Sequence, residues 1–490
     1  MQHGTAGLFD NVIVPRSRFY SSPFGRLFDN LEPWVPDGVT DDERERTLDK
    51  FARDEMFEPV GAGFNFDNDK IPAGYTYLGQ FIDHDITFDP TSSLMRHNDP
   101  NHIHNFRTPR LDLDSVYGGG PKVTPYLYDS QRVASDGTTG FFLIEANDAD
   151  TPGRDLPRNS QGTALIGDPR NDENVIVAQI QLAFLRLHNR VLNNITDGHD
   201  ANAIQANFNQ AHRIVRWFYQ YIVWHDYVKK IVVDTIHKDV LKRKGSRGPW
   251  DLNTRFYHWK QAPYMPVEFS VAAYRFGHSQ VRPGYQMNFN LKVGVEKPIF
   301  VMNPAERLDD LRGGRRLPAE FTVQWDWFLK FATNPGGFPQ NTRQIDTKLA
   351  RSVFAIPDGA GGSNPLAALN LRRGWRMGLP SGPAVAKAMG EKALPVAGSQ
   401  QALWYYILHE AEKLPGANKG KMLGRVGSHI VAEVFAGLLM GDSLSYFNID
   451  PNWTPDTEAH LQLGQPENGQ DWEFADLIKA AGMPITKDDI

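Results

Sequence analysis

The chain has 490 residues, with 52 Lys and Arg, 58 Asp and Glu, 15 His, 11 Trp and no cysteine. Its formal charge of -6 offers no concentrated basic face for nucleic acid, and the missing thiol excludes disulfide frameworks, cysteine–zinc sites, iron–sulfur clusters, cysteine nucleophiles and thiolate-ligated iron. With 41% hydrophobic and 22% charged residues it can bury a sizeable core, and the length allows about three domains or one large catalytic one.

Residues 1–70 are rich in Pro, Gly and aromatics with little periodicity, which predicts an arm over a larger body spanning 71–450. Residues 451–490 are expected to pack on that body as an extension. The opening MQHGTAGLFD lacks the basic and apolar regions of a secretory signal, and no uninterrupted apolar stretch reaches transmembrane length. Within the arm, Asp41–Arg46 (DDERER) reads as a solvated helix face.

Next comes LGQFIDHDITF, Leu78–Phe88. On a helix, Gln80 and His84 share a face, and Asp83 and Asp85 flank His84 about 100° to either side. Two carboxylates and an imidazole beside Phe81 and Ile82 are costly to desolvate without a purpose; a surface turn of an amphipathic helix is the plainer alternative. TPRLDLDSVYG, Thr108–Gly118, sets Thr108, Asp112, Asp114 and Ser115 close together as oxygen ligands, which suits calcium. It lacks EF-hand spacing, and an Asx-turn also explains an isolated Asp-x-Asp.

In DPRNDENVIVAQIQLAFLRLHNR, Asp168 before Pro169 fits a helix cap, with Asn171 as an alternative cap. Arg170 and Glu173 are three apart, and a capping ion pair between them is the simple reading. Leu182, Leu185, Asn189 and Leu192 continue a buried stripe, and His188 reads as structural. Ile214, Trp217, Phe218, Tyr221, Ile222 and Val228 recur at helical spacing. Lys238, Lys242, Arg243, Lys244 and Arg247 read as a solvated turn.

Val267, Val271, Tyr274, His278 and Val281 trace one face of a further helix, at spacings of four, three, four and three. Gly277, His278, Ser279 and Gln280 narrowly miss a G-x-S-x-G elbow, because Val281 stands where Gly is required. No Walker loop or H-E-x-x-H occurs. Glycine-rich loops are expected at Gly118–Pro121, Arg312–Arg316 and Gly359–Pro365, and Ile430–Met440, despite Glu433, reads as a buried helix. No internal repeat or sustained strand alternation is present, so the fold class is mostly α.

Taken together these segments resemble the animal-type haem peroxidases of the peroxidase–cyclooxygenase superfamily. Gln-x-x-Asp-His-Asp, the oxygen-rich loop, Arg-x-x-Glu, the Arg-x-x-Asn-Arg helix, Arg-x-Gly-His, LAALNLRRG (Leu366–Gly374) and GRVG (Gly424–Gly427) follow one another in the family's order. The resemblance runs from about residue 70 to 450. It implies a large single-domain helical fold and a peroxidase using hydrogen peroxide and a small donor such as a phenol, iodide, bromide or thiocyanate.

By that resemblance His84 is the distal histidine, Arg170 the distal arginine and Gln80 the glutamine that orders water or a small anion. His278 is the ligand of the iron of haem b, and Asn370 hydrogen-bonds its imidazole. Asp83 and Glu173 match the carboxylates that form esters with haem methyl groups. Asp85, Thr108, the Arg110 carbonyl, Asp112 and Asp114 match a calcium site, with Asp114 standing where the family more often has Ser. Asn174 stands where some mammalian members carry a vinyl-bonding Met, so that link is impossible here. Cyclooxygenases place a radical Tyr three residues before the proximal His; Arg275 occupies that position, with Tyr274 one residue off. The YHW string at Tyr257–Trp259 does not end in the proximal His. A fatty-acid dioxygenase and a non-catalytic haem- or calcium-binding protein are the competing readings. A secreted or periplasmic setting follows only from the family, and oligomeric state is left open.

Overall fold

A computed structural model describes residues 22–59, 66–88, 104–105, 107–132, 140–144, 154–196, 204–245, 248–260, 262–291, 294–301, 309–332, 334, 338–357 and 363–490. Helix accounts for 48% of the chain and strand for 9%, within one large domain. The longer helices are α1 (Asp41–Glu55), α2 (Gly74–Ile86), α3 (Val175–Thr196), α4 (Ile204–Ile222), α5 (Leu366–Arg376), α6 (Leu403–Glu412) and α7 (Arg425–Gly441).

The centre of the core is a layer of α2, α3 and α4. Phe81 of α2 stacks on Phe184 of α3 with ring centroids 4.8 Å apart. Tyr219 of α4 meets both rings edge-on, at 6.2 and 5.6 Å. Such offset and edge-to-face pairs add to simple area burial. Along α2 nearly every residue is buried, polar ones included, so the polar side chains of this helix must find partners inside the protein.

The chain from Val267 to Val281 departs from the predicted α-helix. Glu268–Ala272 forms a wide π-type turn and Ala273–Gln280 a tight 3-10 run, with a break at Ala272 (φ -127°, ψ -73°). Tertiary contacts override the local periodicity. Glu268 is fully buried and accepts the backbone N–H groups of Leu27 and Phe28 at 3.0 and 3.3 Å, while Trp404 of α6 donates to the Arg275 carbonyl at 3.1 Å. His278 consequently leaves the buried stripe and stands partly open.

Other expectations are refined. The acidic start of α1 is closed by a Thr40–Glu43 capping box, yet it is more than a solvated face: Arg376 of α5 donates to Asp41 at 2.6 Å and to Glu45 at 2.8 Å. In the basic segment, Leu241–Arg243 pairs antiparallel with Trp250–Leu252, and Lys238, Lys242 and Lys244 sit beside Asp234, Asp239 and Asp251; Arg247 lies outside the described residues. Ser363–Pro365 is a short strand against Ala355–Pro357 rather than loop, and Gly359–Gly362 lie outside the described residues. The described part of the arm lays Ser22–Gly25 against His104–Asn105 and Met265–Pro266. Among the described residues, no helix is long and apolar enough to cross a membrane.

Candidate active site

Two polar faces approach one another. One is the C-terminal half of α2 with the 3-10 turn Pro169–Asp172 that precedes α3; the other is the turn carrying His278. Tyr274 joins them, its hydroxyl donating to the Gly79 carbonyl at 3.2 Å.

On the first face, Gln80 and His84 do share a side of α2, and both reach Glu173. Gln80 Nε2 donates to Glu173 Oε1, and His84 Nε2 lies 3.5 Å from the same oxygen. Asn174 Nδ2 donates to Gln80 Oε1 at 3.0 Å. His84 Nδ1 lies 2.8 Å from Asn171 Oδ1, and Asn171 Nδ2 donates to Gln181 Oε1 at 2.8 Å. Asp83 Oδ1 accepts from the Thr87 hydroxyl at 2.8 Å.

Asp168 caps the turn as expected, accepting the Arg170 backbone N–H at 2.8 Å. Arg170 makes an ion pair with Asp168 at 2.7 Å. Arg170 Nη2 also donates to the His84 carbonyl at 2.8 Å, and its guanidinium lies 4.5 Å from the centre of the Phe88 ring. Arg107 pairs with the same Asp168 Oδ2 that accepts from Arg170 Nη2. Burial alone would raise the Asp168 carboxyl, but Arg170 and Arg107 outweigh it and hold the group well below the usual range. The arginines thus keep a buried carboxylate ionised, which in turn fixes where Arg170 points.

The loop behind α2 gathers Asp85, Asp112 and Asp114, each offering an oxygen within 4.8 Å of the others. Ser115 Oγ and the Leu113 N–H donate to Asp85 at 2.9 and 3.2 Å. Leu113 adopts φ +61° to do so, a left-handed conformation uncommon for a branched residue. Thr108 Oγ1 donates to Asp112 at 2.7 Å, and Arg110 faces Asp442 at 3.6 Å. Among the described residues neither carboxylate oxygen of Asp114 accepts a hydrogen bond, although Arg107 stands 3.4 Å from it. Desolvation pushes all three carboxyls up, Asp112 to about 7, and the Asp114 charge adds to the rise at Asp85 and Asp112. A hard cation would relieve that crowding.

On the second face, the Asn370 side-chain amide of α5 lies 2.7 Å from His278 Nδ1. His278 Nε2 makes no hydrogen bond among the described residues. A Cβ built on Gly277 meets no atom within 4 Å, so the backbone beside His278 borders space that protein does not fill. Burial, with Arg275 adding, pushes the imidazole down to about 3, keeping it neutral. The Asn370 atom facing Nδ1 is the amide Nδ2; with that amide turned so that Oδ1 meets Nδ1, the proton sits on Nδ1 and a neutral ring open at Nε2 fits a haem iron.

The sequence profile of the animal haem peroxidase family matches residues 92–395, more than half of the chain. The chain belongs to the animal haem peroxidase family. The family implies haem binding. The matched span holds Arg170, Glu173, His278 and Asn370, with Gln80 and His84 just ahead of it. Among relatives, the chorion peroxidase of Drosophila melanogaster is 26% identical over 61% of this chain and 36% of its own length. The thyroid peroxidase of Canis lupus familiaris is 25% identical over 57% of this chain and 29% of its own. A peroxidase-like protein of Margaritifera margaritifera is 25% identical over 77% and 53%. The chain therefore spans roughly a third to a half of these family members' length. The fold is that of peroxidase A from Dictyostelium discoideum (TM-score 0.57, 15% identity, 95% of this chain and 94% of that one) and of a fatty acid alpha-dioxygenase from Arabidopsis thaliana (0.60, 15%, 96% and 81%).

Sequence reasoning had not singled out Asn171 as a partner of His84, nor Gln181, Arg107 or the Tyr274–Gly79 link. A signal existed for Gln181: a glutamine inside the apolar run VIVAQIQLAFL is fully buried and needs an internal partner. His188 is structural as expected, bonded to the Tyr117 hydroxyl and the Gly140 carbonyl.

Proposed function

We propose that the chain is a haem peroxidase that reduces hydrogen peroxide and oxidises a small donor: a phenol, iodide, bromide or thiocyanate. The observation that carries this reading is His278, backed by Asn370 at Nδ1 and open at Nε2, across from a face holding His84, Gln80 and Arg170, in a chain of this family. Haem, when bound, supplies the redox chemistry.

The protein's own share is proton handling and charge. His84 Nε2 takes a proton from the peroxide oxygen nearest it and returns it to the departing oxygen, a transfer suited to imidazole. Arg170, fixed by Asp168 and the His84 carbonyl, holds a permanent positive charge where the departing oxygen becomes negative. Gln80, held between Glu173 and Asn174, orients water or a small anion. Asn370, with its Oδ1 turned to Nδ1, would fix the proximal ring and raise its basicity. Asp83 and Glu173 are assigned to ester attachment of haem; acid–organic extraction that removes all haem from peroxide-treated protein contradicts this. Asp85, Asp112 and Asp114, with Thr108 and the Arg110 carbonyl, are assigned to a structural calcium ion.

The fold is shared with a fatty acid alpha-dioxygenase, and oxygen uptake on adding linoleate without peroxide would favour that activity. Against it, the position three residues before His278 is Arg275, whose Nε donates to the Ser270 carbonyl at 3.0 Å. The deciding experiment for the whole reading is an optical spectrum of purified protein supplied with haem. A Soret band that responds to peroxide is expected; no band at all removes the assignment.

A further inference from the structure

We infer that Asn171, oriented by Gln181, is a positioning residue that sets which ring nitrogen of His84 carries the proton. The inference rests on the proposed role of His84 Nε2 as proton acceptor, and deepens it. His84, Asn171 and Gln181 form a line of three buried polar side chains, with exposures of 5, 0 and 0%. Its two links are 2.8 Å each.

The direction of the line determines the chemistry. A neutral imidazole has one N–H, shared between two nitrogens. Asn171 spends its NH2 group on Gln181 Oε1 and so turns its carbonyl oxygen to His84. An acceptor oxygen 2.8 Å from Nδ1 places the proton on Nδ1. The lone pair is then on Nε2, the nitrogen that lies 3.5 Å from Glu173 Oε1 beside Gln80. The opposite tautomer would require both amides to turn over together, because turning Asn171 alone sets two NH2 groups or two oxygens against each other. A pair of amides locked by one hydrogen bond therefore acts as a single switch position.

The same line ties the turn to the helix. The Asn171 N–H donates to the Asp168 carbonyl at 3.0 Å, so the residue that orients His84 is built into the turn carrying Arg170. Gln181 stands on α3, fully buried, and its Nε2 has no hydrogen-bond partner among the described residues, so its link to Asn171 is the one that orients it. One amide thereby links the two residues to which proton transfer and charge are assigned.

The test is the 15N spectrum of histidine-labelled full-length protein, as purified and, where it carries haem, in the diamagnetic carbonyl form. The His84 signal is assigned by its loss in His84→Gln. Wild type is expected to show the proton on Nδ1. Asn171→Leu, and Gln181→Met as a second variant away from the haem face, should give mixed tautomers. Each should slow the reaction with peroxide roughly tenfold or more, with unchanged haem content. A wild-type proton on Nε2, or variants that keep the wild-type tautomer and rate, overturns the inference. If the protein takes up no haem, the functional reading fails instead, and the tautomer of the haem-free chain still decides this one.

Discussion

The hydroxyl of Tyr274 donates to the carbonyl oxygen of Gly79 at 3.2 Å, joining the turn that carries His278 to the helix that carries Gln80 and His84. The same glycine lets Tyr227 approach: a Cβ at Gly79 would sit 2.4 Å from the Tyr227 hydroxyl oxygen. The spacing of the two histidine-bearing elements is thus set by a tyrosine pair, with ring centroids 6.4 Å apart.

Tyr274→Phe should therefore cost about 1 kcal/mol, the usual net worth of a buried hydrogen bond. Gly79→Ala should cost more, roughly 1–3 kcal/mol, by overpacking, and adding Tyr227→Phe should recover part of the loss. Urea denaturation of the three variants checks both statements; equal stability of Gly79→Ala and wild type contradicts the close approach.

His84→Ala should retain haem and react with peroxide a hundredfold or more slower, the usual scale of general acid–base catalysis. His278→Ala should instead change the haem spectrum itself. Stopped-flow rates and absorption spectra separate the two; wild-type rates in His84→Ala would remove that residue from the mechanism.

Chelation by EGTA should lower the melting temperature, and added calcium should restore it, because Asp85, Asp112 and Asp114 crowd three buried carboxylates with little hydrogen bonding to Asp114. Asp112→Asn should weaken the response. A melting temperature indifferent to both reagents argues against a cation between these residues.

Glu410 supplies a pH test outside the site. Burial pushes its carboxyl up to about 7, despite the Val426 and Gly427 N–H groups that oppose the shift. A folded value above the unfolded one of about 4.3 means that ionising Glu410 costs stability. The cost is absent below about pH 4, grows between there and pH 7, and is constant above. Glu410→Gln should accordingly gain stability relative to wild type as pH rises from 5 to 8. Thermal melts at the two values measure it; a difference that does not change with pH contradicts the shift.

Much of the site was legible before any fold was known. The α2 helix, the shared face of Gln80 and His84, the Asp168 cap and the oxygen-rich loop all follow from local spacing. Local spacing failed at Val267–Val281, where buried Glu268 and Trp404 impose a π-type and then a 3-10 turn on an α-helical pattern. It also did not single out Asp168 as an ion-pair partner of Arg170, a carboxylate that Arg107 reaches from another loop.

The amino-acid sequence by itself determined the chemistry available: with no cysteine, thiolate ligation of iron and cysteine thioether attachment of haem are excluded, and the proposed roles fall to histidine and to carboxylates such as Asp83 and Glu173. It also placed those groups on helices and loops, since helical periodicity is a short-range property. Only the tertiary structure decided which atoms meet. His84 and Asn171 are 87 residues apart, His278 and Asn370 are 92 apart, and Tyr274 and Gly79 are 195 apart. Contacts at such separations arise from packing of the core, and no spacing along the chain encodes them.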